Sequence, residues 1–421
     1  MKFLPSEIIT SNIVSRLPVE SVLYCMLVCK SWCQSIRNPY FRKIHQRQQL
    51  LDSGRNSNDK VSFLFLTAEQ ISKLYYGKYD EDSRKIGKMK LKIVNHPLIN
   101  KKFVGKSAIV GSCNGLVCFT VPHTYHVDDP IYICNPNLGE KISLPRFTIT
   151  AENKYFVVSG FGYNSITDEY KVVRIIGERY YAGQSFCHLV DKPKKSQVQV
   201  YTLGSGSGWR NIGEYPYSLQ CLFNISRLVP VCCRPCGGKS EIPIPSRGIL
   251  ANGALHWLDS DWNIVAFDLE YEQFSLLPSP PCYRPGDDRN LYILQVLAGC
   301  LCVLKDQNGK SLDIWSFKKE TREWEELFCI SCGSDNFFDA YWPISLTSSG
   351  KLILRFQYKV LYCYDPDTGE LEKLMNCNTE FFFPTLPYPL IEAIPHINSY
   401  VSLEALGERS KKIVRAMNMN V

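Results

Sequence analysis

Three Gly-Lys-Ser triplets are the first residues of this chain whose types could bind a phosphate group. They begin at Gly105, Gly238 and Gly309. A phosphate-binding loop also requires a glycine five positions earlier, because consecutive backbone amides must wrap around the phosphate. Asparagine, cysteine and leucine occupy those positions here. The triplets therefore predict no nucleotide site.

Cysteine pairs are the second candidate for chemistry. Cys233–Cys236 and Cys329–Cys332 have the Cys-x-x-Cys spacing of zinc ligands, and Cys232 and His188 could complete such a site. The two pairs are far apart in the sequence, and the 18 cysteines are scattered through strand-like and helical runs. We predict no metal and no disulfide framework, with a zinc site local to Cys233 as the alternative.

Side chains for catalysis by the protein itself are not arranged in a known pattern. Neither a Gly-x-Ser-x-Gly elbow nor a His-Glu-x-x-His helix occurs. His256 adjoins Trp257 in an apolar run, which favours a buried histidine over a catalytic base. We predict no catalytic residue and no cofactor, and an autonomous enzyme is only the third hypothesis.

Composition is that of an ordinary globular protein, with 421 residues and 45% apolar content. The net charge of +7 is too small to predict a nucleic-acid partner, although residues 1–55 contribute +5 of it. Polar residues interrupt the N-terminus where a signal peptide needs an apolar segment, and no run approaches the ~18 apolar residues of a membrane span. We expect a cytoplasmic or nuclear protein with no membrane partner.

Helical periodicity marks residues 4–41. Ile9, Ile13 and Leu17 form one apolar stripe, and Pro18 separates it from a second stripe. A third helical turn is predicted over residues 31–36. About 40 residues cannot bury apolar surface on several sides alone, so the remaining face predicts a partner.

Beyond residue 60 the pattern changes to short alternating runs rich in branched and aromatic residues, which predicts strands. Segments from Gly248, Leu297 and Leu346 repeat one another, and we align Asp268, Ser316 and Asp365 as equivalent positions. A period near 50 residues with about four strands per unit predicts a kelch-like β-propeller. We count six blades, within one. The first is residues 61–94, and we expect residues 400–406 to add a closing strand to it.

The N-terminal residues resemble the F-box motif in its plant form. The matching residues are Leu4-Pro5, Leu17-Pro18-Val19, Val28-Cys29-Lys30, Trp32, Pro39, Phe41 and His45. Residues 111–117, 160–163 and 252–257 resemble the F-box-associated domain of plants. The resulting division is an F-box at 1–48, a linker at 49–60, a propeller at 61–406 and a basic tail at 407–421.

The resemblance implies a substrate-recognition adaptor. In that family the F-box binds a Skp-type protein, which links it to a cullin, and the second domain holds a target for ubiquitin transfer. The residues that match contact positions for the adaptor are Leu4, Pro5, Ile8, Leu17, Pro18, Val22, Cys29 and Lys30. The alternative is an interaction scaffold or glycan-binding module that recruits no ligase.

Long connections are the natural place for target recognition, because propeller sheets are scaffold and loops vary. Residues 179–196, 214–246 and 333–342 are longer than a turn needs and the last two carry apolar or aromatic clusters. The predicted target-binding residues are Phe223, Leu228, Arg234, Phe337, Phe338, Tyr341 and Trp342. The target itself is an unknown protein.

Overall fold

The computed structural model describes residues 8–38, 40–45, 48, 61–67, 73–79, 90–94, 108–120, 131–146, 155–178, 196–217, 247–259, 261–283, 291–307, 310–331, 341–356, 360–376 and 391–412. It confirms the predicted fold class, with a helical N-terminus followed by strands that form a propeller-like curled sheet. Zinc candidates Cys232, Cys233, Cys236, Cys332 and His188 lie outside the described residues.

The helical module, residues 8–45, begins with a π-helical stretch at Ile9–Ile13 and a 3₁₀ turn at Val14–Arg16. Helices α1 (Val19–Cys25) and α2 (Lys30–Arg37) follow, and residues 40–45 are helical again. Pro18 has extended backbone angles and precedes α1, which confirms the predicted break. The Ser15 hydroxyl donates a hydrogen bond to the carbonyl of Ser11, four residues earlier.

The strands within the described residues fall into six antiparallel units. Their members, from the inner to the outer strand, are as follows. Unit 1 is β24 (Ile391–Pro395), β1 (Ser62–Thr67), β2 (Lys73–Lys78) and β3 (Lys90–Val94); unit 2 is β4 (Ala108–Cys113), β5 (Leu116–Thr120), β6 (Tyr132–Asn135) and β7 (Glu140–Ser143); unit 3 is β8 (Tyr155–Asn164), β9 (Glu169–Glu178), β10 (Ser196–Thr202) and β11 (Trp209–Glu214). Unit 4 is β12 (Arg247–Ala251), β13 (Ala254–Leu258), β14 (Ile264–Asp268) and β15 (Phe274–Leu277); unit 5 is β16 (Leu291–Leu297), β17 (Cys300–Asp306), β18 (Ser311–Lys318) and β19 (Glu323–Ser331); unit 6 is β20 (Tyr341–Leu346), β21 (Leu352–Phe356), β22 (Val360–Tyr364) and β23 (Leu371–Asn376).

The inner strands contact one another in the cyclic order β24, β4, β8, β12, β16 and β20, and β20 contacts β24. Neighbouring units bury their faces against each other, as the shared apolar clusters show. The blade number of the complete ring stays a prediction.

A C-terminal strand joins the first unit, but it is β24 and not residues 400–406 as predicted. β24 pairs with β1 from Phe63 to Thr67. Residues 400–406 contain no strand, and Val401 and Leu403 are buried against units 2 and 3 instead. Within the predicted tail, residues 407–421, the structure contains β25 (Lys411–Lys412), which pairs with β7.

A repeated turn joins the third and fourth strands of several units. In units 4 and 6 the carbonyls of Asp268 and Asp365 accept from the amide four residues later, at 3.0 and 2.8 Å. In unit 5 the carbonyl in this position belongs to Lys318, at 2.8 Å. Ser316 lies two residues earlier, so its predicted equivalence is wrong. The reason is the longer β18, whose register with β19 shifts at a bulge.

An ion pair crosses the ring between opposite units. Arg247 on β12 lies 2.7 Å from the Glu392 carboxylate on β24. The other Glu392 oxygen accepts from the Ile109 amide of β4 at 3.1 Å. Burial raises the pKa of Glu392, against the opposing effects of Arg247 and the Ile109 amide. The charged form of the Glu392 carboxyl group is therefore stabilised by Arg247 and the Ile109 amide against the cost of burial.

Replacing Arg247 by methionine is expected to lower the free energy of unfolding by about 2 kcal/mol, because the Glu392 carboxylate loses its charged partner. Urea denaturation measures this change. The double variant Arg247→Met/Glu392→Gln should lose less than the two single variants combined. Simple additivity would show that the pair is not coupled.

Candidate functional site

The core of the helical module is small and includes a residue from the far end of the chain. Val14, Val19, Val22 and Ile36 are buried together, and Tyr400 packs with them. The Cys29 sulfur accepts from the Trp32 amide at 3.5 Å and so caps α2. Trp32 is half-buried against this core, so its ring helps to pack the helices together.

A large part of the module's apolar surface faces solvent. Six of the eleven large exposed apolar side chains among the described residues belong to the module, and their exposures run from 42% to 80%. They are Ile8, Ile13, Tyr24, Leu27, Val28 and Tyr40. Single exposed apolar residues are ordinary, but this concentration in fewer than forty residues is typical of a surface that a partner covers. We call these six residues the apolar patch.

Charge around the apolar patch is positive. The sequence from 8 to 45 holds five basic residues and one acidic residue, and Arg16, Lys30 and Arg37 are exposed. A partner surface with acidic groups around an apolar centre would fit this arrangement.

Most predicted adaptor-contact residues in the described region lie at or near the surface. Ile8, Pro18, Cys29 and Lys30 are exposed, and Leu17 is half-buried with its carbonyl bonded to His45 at 3.0 Å. Leu4 and Pro5 lie outside the described residues.

Val22 is the exception among the predicted contacts. Its exposure is 0%, because α1 turns this side chain into the module's own core. A side chain in that position packs the helices of the module together, and its contact with the adaptor stays a prediction.

Sequence reasoning missed Tyr24, Leu27 and Val28 as surface residues. Leu27 and Val28 lie in the turn between α1 and α2, where successive side chains point in different directions and cannot all be buried. The signal was the apolar run Met26–Val28 immediately before the Cys29 cap. The helical periodicity places Val22 and Leu27 together in the second apolar stripe, after Pro18, because the apolar pattern continues through residue 27.

The propeller has two different faces. The turns at residues 114–115, 136–139, 165–168 and 203–208 connect paired antiparallel strands and share one edge of units 2 and 3. We call this edge the turn face, and the helical module lies on it. The opposite edge, the loop face, holds the strand ends that flank residues 121–130, 179–195 and 218–246.

The predicted target-binding residues lie in sequence segments between described strand ends of the loop face or, for Tyr341 and Trp342, at such a strand end. Phe223, Leu228, Arg234, Phe337 and Phe338 lie outside the described residues.

Tyr341 and Trp342 begin β20 and are half-buried. The Tyr341 ring packs 4.7 Å from that of Phe356, so it supports unit 6, and its target contact stays a prediction.

Two buried histidines have no arrangement suited to catalysis. His256 bonds the Ile249 carbonyl at 3.1 Å, and His396 bonds the Ser112 hydroxyl at 2.8 Å. Burial lowers the pKa of each imidazole to about 4. His256 is thus the buried core histidine that its sequence context indicated.

The described part of the chain contains no group of three His, Cys, Asp or Glu side chains placed to hold a metal ion. In the same residues no helix is long and apolar enough to cross a membrane.

Comparison with known families divides the chain into the same two parts. Residues 3–44 match the F-box domain, and residues 56–380 match the family described as F-box associated beta propeller domain. F-box protein At3g07870 of Arabidopsis thaliana is 28% identical, over 89% of this chain and 88% of that protein. F-box/kelch-repeat protein At3g23880 of the same plant is 25% identical, over 80% of this chain and 82% of that protein.

Among solved structures, an oligogalacturonate lyase from Vibrio parahaemolyticus is similar with a TM-score of 0.38 and 11% identity, covering 77% of this chain and 88% of that one.

Proposed function

The chain belongs to the plant F-box proteins that carry an F-box-associated β-propeller, and from this premise we propose that it is the substrate receptor of a Skp-cullin-F-box ubiquitin ligase. The helical module binds the Skp-type adaptor, and the propeller binds the target protein. Such proteins hold a target rather than transform it, and the reaction is carried out by other subunits.

The apolar patch is the observation that carries the proposal. Four side chains of this small module are strongly exposed, namely Tyr24, Leu27, Val28 and Tyr40. Because they bury little apolar surface in the chain's own fold, they contribute little to its stability. Their burial against a partner would contribute about 25 cal/mol for each Å² removed from water. The basic rim around the patch supports an acidic adaptor surface.

The separation of the two propeller faces supports a division of labour. Because the module occupies the turn face, the loop face is left for the target. The receptor would then act by proximity, since a held target lysine meets the charged conjugating enzyme at a high effective concentration.

A pull-down of the full chain with a Skp-type adaptor tests the first half of this function, beside a chain that lacks residues 1–55. We expect binding by the full chain and none by the shortened one. Urea denaturation of both proteins is the control, because removal of the module exposes Tyr400. A well-folded full chain that binds no adaptor would favour the non-degradative scaffold instead.

A further inference from the structure

We propose that residues 396–412, here called the C-terminal brace, together with Asp168 fix the direction of the helical module on the propeller, and that they are positioning residues for ubiquitin transfer. This inference rests on the proposed function. It concerns how the two binding ends are held relative to each other, which neither domain provides alone.

The first contact is apolar and places the brace beneath the module. Tyr400 is buried in the module's core, and its ring meets that of His45 edge-on at 5.2 Å. Leu138, from the turn between β6 and β7, packs on the same core. The module therefore completes its core with one residue from the brace and one from the propeller, as a unit of its size must.

The second contact is ionic and lies on the neighbouring propeller unit. Asp168, in the turn between β8 and β9, lies 3.3 Å from Arg42 and 2.9 Å from Lys43 of the module. The Tyr163 hydroxyl donates to the same carboxylate at 2.7 Å and orients it.

Desolvation opposes ionisation of Asp168, but hydrogen bonds from Lys43 and Tyr163, with the Arg42 and Lys43 charges, lower its pKa below the usual value. The carboxylate is thus charged at neutral pH, as both cations require.

The brace itself is bound to unit 2 by buried polar groups. The Asn135 side-chain amide donates to the carbonyls of Ser399 and Val401 at 3.0 and 2.9 Å. The Glu140 carboxylate accepts from the Leu403 amide at 2.7 Å. Asn135 and Glu140 are buried, at 0% and 5% exposure, so these bonds are shielded from water.

The end of the brace is bound to unit 3. The Glu408 carboxylate accepts from the Gly204 amide at 2.8 Å and from the Tyr201 hydroxyl at 3.1 Å. A chain segment held by two units, with Tyr400 inserted into the module between them, leaves the module little freedom to rotate.

Two equivalent turns offer a matched test. Gly115 and Gly253 both follow an asparagine, both join an inner strand to its neighbour, and both have a φ of +81°. A Cβ on Gly115 would lie 2.1 Å from the Ser399 hydroxyl oxygen, whereas a Cβ on Gly253 meets nothing within 4 Å. Alanine therefore costs the same backbone strain at both positions, but only at Gly115 does it displace the brace.

The test variant is Gly115→Ala/Asp168→Asn, and the control is Gly253→Ala/Asp268→Asn. Asparagine tolerates the left-handed backbone of Asp168 while removing its charge. Asp168→Asn alone is a second, milder variant in case the double variant folds poorly. Amine cross-linking of each full chain, without ligase subunits, reads the module's position through the exposed Lys30.

We expect Lys30 of the test variant to cross-link to more propeller lysines than in the parent or the control. In a reconstituted ligase with adaptor, cullin and conjugating enzyme, the chain's own lysines serve as acceptors. For the lysine that is modified most in the parent chain, we expect the rate of ubiquitin transfer to fall roughly tenfold in the test variant. The reason is that a small misplacement of reacting groups lowers a reaction rate strongly. Adaptor affinity should not change, because neither substituted residue lies on the apolar patch.

If Lys30 forms the same cross-links in the test variant as in the parent, the proposal that the brace fixes the direction of the module is wrong. Altered cross-links with an unchanged pattern of modified lysines would overturn its positioning role. Failure of the adaptor to bind the parent chain would count against the proposed function, and the cross-linking arm would still decide whether the brace fixes the module.

Discussion

Replacing Tyr24 and Leu27 by alanine is expected to weaken binding of the Skp-type adaptor to the full chain by about a hundredfold. Both side chains are strongly exposed in the apolar patch, so the change removes no contact from the module's core. An anchor side chain of an interface often contributes more than about 1 kcal/mol, and a loss of about 1.4 kcal/mol for each of the two side chains lowers the affinity tenfold twice, or a hundredfold. Calorimetry or surface-based binding with purified adaptor measures the loss.

Tyr271→Ala/Leu276→Ala is the matched control for this experiment. Both side chains are also exposed and apolar, and both belong to unit 4 of the propeller, outside the module and the C-terminal brace. The control should bind the adaptor like the parent. If the Tyr24→Ala/Leu27→Ala variant binds the adaptor as tightly as the parent does, the patch is not the adaptor surface. Loss of these two exposed side chains removes no contact from the module's core, so misfolding would not explain weaker binding.

Local signals predicted most of the fold. Pro18 interrupts a helix through chemistry that belongs to the residue itself, and the glycine-flanked apolar runs mark strands wherever they lie in the ring. The repeats that begin near Gly248, Leu297 and Leu346 could be aligned because each unit must bury its two apolar faces against the neighbouring units.

The closing strand could not be placed so well. Residues 391–395 and 400–406 both contain branched and aromatic residues, and only pairing with β1 distinguishes them. That pairing joins residues more than 300 positions apart, so no local pattern encodes it. The same holds for Asp168, whose partners Arg42 and Lys43 are far away in the sequence.

The sequence predicted which segment forms the candidate site but not which of its side chains are exposed. The two Leu-Pro steps and the Val-Cys-Lys run marked the module, and in the described part of it Pro18 and Cys29 directly precede α1 and α2. They did not show which apolar side chains face inward. Val22 and Leu27 are both apolar residues of the second stripe, yet one is fully buried and the other is among the most exposed. The difference arises because α1 ends at Cys25 and the chain turns before Leu27.

Acidification from pH 7.5 to 5 is expected to lower the free energy of unfolding by about 4 kcal/mol. His256 and His396 are buried as neutral imidazoles with a pKa of about 4, whereas an unfolded histidine titrates near 6.5. Between these values the unfolded chain binds more protons than the folded one, so stability falls as the pH falls through this window. Each histidine contributes about 2 kcal/mol of the loss at pH 5.

Urea denaturation at pH 7.5, 6 and 5 measures this dependence, and the double variant His256→Gln/His396→Gln is its control. The variant is expected to be less stable at pH 7.5, because glutamine does not reproduce the bonds to Ile249 and Ser112. Its stability should nevertheless change less between pH 7.5 and 5, since the two imidazoles whose pKa is lowered to about 4 are gone. An equally steep loss in the variant would assign the acid sensitivity to other groups, with His45 the first to examine, because burial also lowers its pKa.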